Sequence, residues 1–162
     1  MKTKIIDNFL SKEEFEKIKY IFMEDMILPW FYSPFVTNYE ETENFIFQHI
    51  FYRNYSPTGE TYKILDPLIT RLQPQSIIRI QANLGTKTTD NIATGYHSDF
   101  PIDCTTAIFY MNTNNGYTLF EDGTRVDCVA NRLVEFPTQI KHTAVTQTDT
   151  KTRVVINFNY FK

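Results

Sequence analysis

His97-Ser98-Asp99, His142 and Arg153 carry the most chemistry in their types and spacing. Two imidazoles and one carboxylate are the donor set of a 2-His-1-carboxylate facial triad, which holds non-haem Fe(II) and leaves coordination positions open. The i, i+2 spacing of His97 and Asp99 has a physical use. On a strand, such residues point to the same face and can grip one ion together. His142 must then come from a strand lying alongside. The chain has three histidines, and this set takes two of them. Arg153 adds a planar guanidinium fork suited to two-point binding of a carboxylate. If the last strand pairs beside that of His142 through a turn at Gln147–Thr150, Arg153 lies deeper than the metal. A dicarboxylate can then chelate iron at one end and meet Arg153 at the other. The plainer alternatives are a chance His-x-Asp tripeptide, a hydrogen-bonded surface histidine and a strand arginine in a surface salt bridge.

Strands must position these residues, and from Gln75 onward the sequence supplies them. Residues Ile77 to Leu84 alternate apolar and polar. Gly85 to Thr94 reads as a polar loop, and Ala93 to Phe100 carries His-x-Asp. Further strands are expected at Thr105 to Asn112, Tyr117 to Glu121, Arg125 to Val129, Arg132 to Phe136, Ile140 to Val145 and Thr152 to Phe161. Asn114-Asn115-Gly116 and Asp122-Gly123 are turn signals between them. About eight short strands at this spacing predict an all-β sandwich, barrel or jelly roll. Upstream, Lys4 to Phe9 is a short β-like entry. Ser11-x-x-Glu14 is a capping box, and Phe15, Ile18, Ile21 and Phe22 predict a helix from Lys12 to Met26, closed by Pro29. A second helix is expected from Glu60 to Leu72, before Pro74. Residues 30–56 are crowded with aromatics, among them Trp30, Phe35, Tyr39 and Phe51. They read as strands and loops covering the core, or as an aromatic wall over a cleft.

Composition narrows the class. At 162 residues, with 42% hydrophobic and 15% aromatic content, the chain is long and apolar enough for one globular domain. It divides into a strand–helix support over 1–75 and a β core over 76–162. The net charge of −3 and the scattered lysines and arginines argue against nucleic acid as partner. Cys104 and Cys128 form no Cys-x-x-Cys and are expected as buried, reduced thiols. The start Met1-Lys2-Thr3-Lys4 precedes no long apolar run, and nothing approaches the roughly 18 apolar residues of a membrane span. A soluble cytoplasmic protein is the expectation. His49, in Phe-Gln-His-Ile-Phe, is read as structural. Asp103, Glu121 and Asp122 sit near turns and are read as solvated.

On these residues the chain resembles the Fe(II)/2-oxoglutarate-dependent dioxygenases, and among them the prolyl hydroxylase-like group. His97-Ser98-Asp99 resembles their His-x-Asp, His142 their distal histidine, and Arg153 the basic residue that pairs with the far carboxylate of 2-oxoglutarate. Ile108-Phe109-Tyr110-Met111-Asn112 is similar to a strand ending Tyr-Leu-Asn whose tyrosine reaches the same carboxylate, which gives Tyr110 that role. Gly116-Tyr117-Thr118-Leu119-Phe120 resembles Gly-Gly-x-Thr-x-Phe, with Tyr117 replacing the second glycine. Asn157, four residues after Arg153, takes the place of a small polar residue that can touch the cosubstrate. Asn83 stands where a tyrosine is often found, and Arg79 and Gln81 share its face and can assist.

The resemblance implies a mainly β fold with flanking helices, the double-stranded β-helix of jelly-roll or cupin type. It also implies Fe(II) on His97, Asp99 and His142, 2-oxoglutarate as cosubstrate on Arg153, Tyr110, Asn83 and Asn157, and O2 as oxidant. The implied activity is hydroxylation of a C–H bond, with a prolyl or other side chain of a protein or peptide as substrate. An oxygenase acting on a small molecule or nucleobase, a regulatory oxygen sensor and a non-catalytic metal-binding jelly roll are the alternatives.

Overall fold

A computed structural model describes residues 3–36 and 44–162. The chain runs β1 (Lys4–Ile6), α1 (Lys12–Met23), β2 (Phe31–Ser33), β3 (Ile46–Arg53), β4 (Ser56–Pro57), a 3-10 turn (Glu60–Leu65), α2 (Asp66–Leu72), β5 (Ser76–Thr86), β6 (Thr105–Tyr110), β7 (Tyr117–Phe120), β8 (Arg125–Asp127), β9 (Arg132–Pro137), β10 (His142–Val145) and β11 (Thr152–Phe161). An eight-stranded sheet follows the order β1-β9-β6-β11-β5-β3-β2, with β4 on β3, and a three-stranded sheet follows β10-β7-β8. All named pairings are antiparallel. The N-terminal third therefore donates β1, β2 and β3 to the same large sheet as the core strands.

Alternation along β5 and β11 sorts the molecule into layers. Ile80, Ala82, Val154, Ile156 and Phe158 face the helices and pack with Phe15, Ile18, Phe22, Leu68 and Leu72. Burying each such side chain stabilises the fold by about 1.5–3 kcal/mol. The opposite face of the large sheet packs against the small one through Ile108, Tyr110, Val134, Phe136 and Val155, which meet Phe120, Val126 and Cys128. Arg79, Gln81, Asn83, Arg153, Asn157 and Asn159 occupy this inner face by register. A strand interior so rich in polar groups needs partners, and the site between the sheets supplies them.

The helices are shorter than their apolar period suggests. The capping box holds, with Ser11 Oγ accepting from Glu14 N–H and the Glu14 carboxylate accepting from Ser11 N–H. α1 stops at Met23 rather than Met26, because the N–H groups of Glu24 and Asp25 both close on Tyr20 O, and Met26 beyond them is exposed. The expected second helix is a 3-10 turn followed by α2. Pro67 in the first turn of α2 donates no hydrogen bond to the preceding turn. α2 ends at Gln73 in the left-handed region, ahead of Pro74. In the aromatic segment, β2 and β3 form a hairpin at the sheet edge, and Tyr39 lies outside the described residues. No described helix is long and apolar enough to cross a membrane.

Candidate metal centre and cosubstrate cavity

His142 opens β10, and β10 lies in the small sheet, with His142 opposite Phe120. His97 and Asp99 do not lie on a regular strand, contrary to the expectation from their spacing. Gly95 at φ 94° and Pro101 interrupt the segment, whose backbone pairs with the small sheet through single bridges at Ala93 and His97. At one of these, His97 and His142 exchange both backbone hydrogen bonds, at 3.0 and 2.9 Å. That single rung is enough to place the two imidazoles side by side, ring centroids 4.6 Å apart.

The geometry suits one shared ion. Ligand atoms of His97, Asp99 and His142 all lie within 4.8 Å of one another. Ligands that each sit about 2 Å from a metal stand within about 4 Å of each other, so only small side-chain movements separate this arrangement from coordination. His142 is buried, with Nδ1 3.1 Å from Ile140 O, which leaves Nε2 for a metal. Desolvation lowers its pKa below the ordinary histidine value, partly offset by Asp99, and favours the neutral, ligating form. Burial alone would raise the Asp99 carboxyl. Arg79, His142, Asn159 and His97 together outweigh that cost and hold it below the usual carboxylate value, so it stays ionised.

A cavity of about 70 Å³ runs from His97 and His142 past Thr118, Asn83 and Asn157 to Arg153. It adjoins a second of about 180 Å³ that shares Asn83 and Arg153 and continues past Phe45, Lys87 and Thr88. The larger exceeds the roughly 150 Å³ that holds a benzene-sized molecule. Arg153 is 8% exposed, and no carboxylate pairs with it among the described residues. Its Nε–H instead donates to Cys128 Sγ at 3.0 Å. Its guanidinium lies 5.9 Å from the Tyr110 ring centroid. Asn157 Oδ1 is buried and has no hydrogen-bond partner among the described residues. The amide can turn over and present Nδ2 instead, so this atom is a ready donor or acceptor for whatever fills the cavity.

Two expectations change here. β11 pairs with β5 and β6, not with β10, so the turn at Gln147–Thr150 crosses between sheets. Arg153 consequently meets the metal residues across the barrel, at the far end of the cavity. Tyr110 is fully buried and absent from the cavity lining. Its hydroxyl donates to Thr118 Oγ1 at 2.7 Å, and Thr118 is the residue that reaches the cavity. Burial pushes the Tyr110 phenol far up, so it stays protonated. Asn83 lines both cavities and accepts from Gln81 Nε2 at 2.7 Å. Arg79 faces Asp99 rather than Asn83. His49 is buried against Pro29 O and Thr61, a structural placement. Both cysteines are buried and free. Sequence reasoning missed Asn159 and Thr106, which hydrogen-bond Asp99, and its only signal was a polar residue on an inward-facing strand position.

No protein-family model matches the sequence, and no curated protein is recognisably similar to it. Solved structures are. A 2OG-Fe(II) oxygenase family oxidoreductase from Burkholderia pseudomallei superposes with a TM-score of 0.73 at 13% identity, covering 98% of this chain and 84% of its own. The fold is that of the 2-oxoglutarate-dependent oxygenases. A prolyl hydroxylase from Trichoplax adhaerens, solved with a fragment of the hypoxia inducible factor oxygen degradation domain, matches the oxygenase fold of this chain at TM-score 0.69. Its identity is 12%, with 98% of this chain and 83% of that one covered. The alpha-ketoglutarate-dependent epimerase SnoN from nogalamycin biosynthesis matches at TM-score 0.67 and 12% identity, over 99% and 77%.

Proposed function

We propose that this protein is an Fe(II)- and 2-oxoglutarate-dependent dioxygenase that hydroxylates a C–H bond. The observation that carries the reading is Arg153, a buried cation without a carboxylate partner among the described residues, on the cavity that also meets His97 and His142. A buried charge left unpaired is costly, so the site favours an anion that reaches Arg153. His97, Asp99 and His142 would hold Fe(II), whose chemistry when bound is oxidation by O2 coupled to conversion of 2-oxoglutarate to succinate and CO2. Arg153 would fix the far carboxylate in two-point fashion, with Thr118 positioned by Tyr110 beside it. Asn83 and Asn157 would orient the rest of the cosubstrate. Ile108 and Val155 line the same cavity and exclude water.

For the prime substrate we put a prolyl or other side chain of a peptide first, on the likeness to a peptide-bound prolyl hydroxylase. A small molecule is the second reading, on the likeness to SnoN. The test is anaerobic. Fe(II) followed by 2-oxoglutarate should give the visible charge-transfer band of a chelated 2-oxo acid, and admitting air should yield succinate. Peptides are then screened for stimulation of succinate release, before small molecules. Iron binding without a band would refute the cosubstrate assignment, and no iron binding would refute the metal assignment.

A further inference from the structure

Asp99 sits on an irregular segment, yet its side chain is 3% exposed and its two oxygens have distinct surroundings. Oδ2 accepts from Asn159 Nδ2 at 2.8 Å and from Thr106 Oγ1 at 3.0 Å. Oδ1 faces His97 Nε2 at 3.7 Å, with Arg79 Nη2 at 3.5 Å. The donors come from one rung of the large sheet, since Asn159 stands opposite Arg79 on β5 and opposite Thr106 on β6.

The chemistry of this rung fixes its own orientation. Arg79 Nε–H can only donate, and it donates to Asn159 Oδ1 at 2.9 Å. The Asn159 amide group must therefore turn its NH2 towards Asp99. Thr106 Oγ1 is also 3.0 Å from Thr138 Oγ1. A hydroxyl has one proton, and the charged acceptor takes it, so Thr106 donates to Asp99 and accepts from Thr138. Arg79 is held in turn over the Phe100 ring, 5.1 Å from its centroid. Asn159 itself is completely buried, and turning its amide over would set Nδ2 against the Arg79 donor and Oδ1 against the Asp99 carboxylate.

We propose that Asn159 and Thr106, with the Asn159 amide oriented by Arg79, form a clamp that occupies Asp99 Oδ2, so that Oδ1, which faces His97 and the Arg79 guanidinium, is the oxygen turned to the metal. The clamp does for Asp99 what a strand ladder would otherwise do. It also keeps the carboxylate from taking a second position on the ion, one that a chelating cosubstrate needs. These are positioning residues, and the inference rests on the triad binding metal as described above.

The experiment is anaerobic calorimetric titration of Fe(II) into wild type, Asn159→Ala, Thr106→Val and Thr106→Ser, without cosubstrate, followed by addition of 2-oxoglutarate at saturating metal. Asn159→Ala should lose about 10- to 100-fold in Fe(II) affinity, the usual effect of removing a group that orients a metal ligand. It should also lose the charge-transfer band even where metal is saturating. Thr106→Val should show the same pattern more weakly, and Thr106→Ser, which restores the hydroxyl, should return to wild-type affinity. If Asn159→Ala does not melt cooperatively, Arg79→Gln carries the same test, because that side chain is 27% exposed. Wild-type affinity and an intact band in the clamp variants overturn the clamp alone. Wild type that binds no Fe(II) overturns the metal assignment itself.

Discussion

The two ends of the cavity handle charge in opposite ways. At the metal end, Asp99 has both oxygens attended, by Asn159 and Thr106 on one side and by Arg79 and His97 on the other. At the far end, Arg153 has a thiol, a ring face and no carboxylate among the described residues. The difference separates a finished site from an unfinished one. On the proposed function, the metal end is complete except for its ion. At the arginine end no described carboxylate balances the charge, and on the proposed function a ligand completes it. A divalent cation and a dianionic cosubstrate together add no net charge, so they can fill the cavity without creating a new imbalance.

The comparison breaks most completely at the metal end. Asp99→Ala or His142→Ala should abolish Fe(II) binding in calorimetry and abolish succinate formation. The arginine end cannot rescue either, because the cosubstrate has nothing left to chelate. Arg153→Ala should give the opposite pattern. Fe(II) binding stays near wild type, while the 2-oxoglutarate concentration needed for half-maximal succinate release rises. Truncating one partner of a buried charge pair costs about 2–5 kcal/mol, which is roughly 30-fold to a few thousand-fold in affinity. An Arg153→Ala variant with unchanged cosubstrate dependence would place the dicarboxylate elsewhere.

How much of this asymmetry could be read from the sequence depends on where each partner lies along the chain. His97, Asp99, His142 and Arg153 were legible because each sits in a short pattern of residue types. β11 was legible from Thr152 to Phe161 because its β-branched and aromatic run is long and bounded by a turn. The i, i+2 argument reached the right juxtaposition of His97 and Asp99 through the wrong local structure. Gly95 and Pro101 prevent a strand there, and the carboxylate is held by Asn159 and Thr106 instead. Those partners were illegible because residues 79, 106 and 159 meet only once the register of three strands is known. Tyr110 shows the same limit. Alternation places it on the inner face, but only the pairing of β7 with β10 decides that Thr118 intercepts its hydroxyl.

A smaller perturbation sharpens the arginine end without touching a charge. A Cβ at Gly116 would lie 2.8 Å from Val145 O, 2.9 Å from Asn114 Oδ1 and 3.1 Å from Arg153 Cδ. The first contact is with backbone, so the strain falls on β7 and on the arginine stem. Gly116→Ala should raise the half-saturating 2-oxoglutarate concentration by about ten-fold, within the roughly 1–3 kcal/mol cost of overpacking. Fe(II) affinity should stay within a factor of two or so, because the triad is at the other end of the cavity. Loss of metal binding in this variant would mean the two ends are mechanically coupled, and the comparison would fail.

The finest test concerns what aims Arg153. Cys128 is buried beside it, and burial raises the thiol pKa despite the offsetting pull of the Arg153 charge, so the sulfur stays a neutral acceptor. A neutral acceptor can orient the guanidinium through Nε without cancelling its charge, whereas a carboxylate there would neutralise it and compete with the ligand. Cys128→Ala removes one hydrogen bond, worth about 0.5–1.5 kcal/mol, and should weaken 2-oxoglutarate binding by roughly two- to twelve-fold at unchanged Fe(II) affinity. Cys128→Ser keeps an acceptor and should recover most of that loss. Cys128→Asp should do worse than either, because it completes the arginine end from within and leaves the cosubstrate no charge to meet. Measured side by side as half-saturating 2-oxoglutarate concentrations, the order Cys, Ser, Ala, Asp supports a charge held open by design of the fold. An aspartate variant that binds 2-oxoglutarate as well as wild type would show that Arg153 is not the residue the cosubstrate meets.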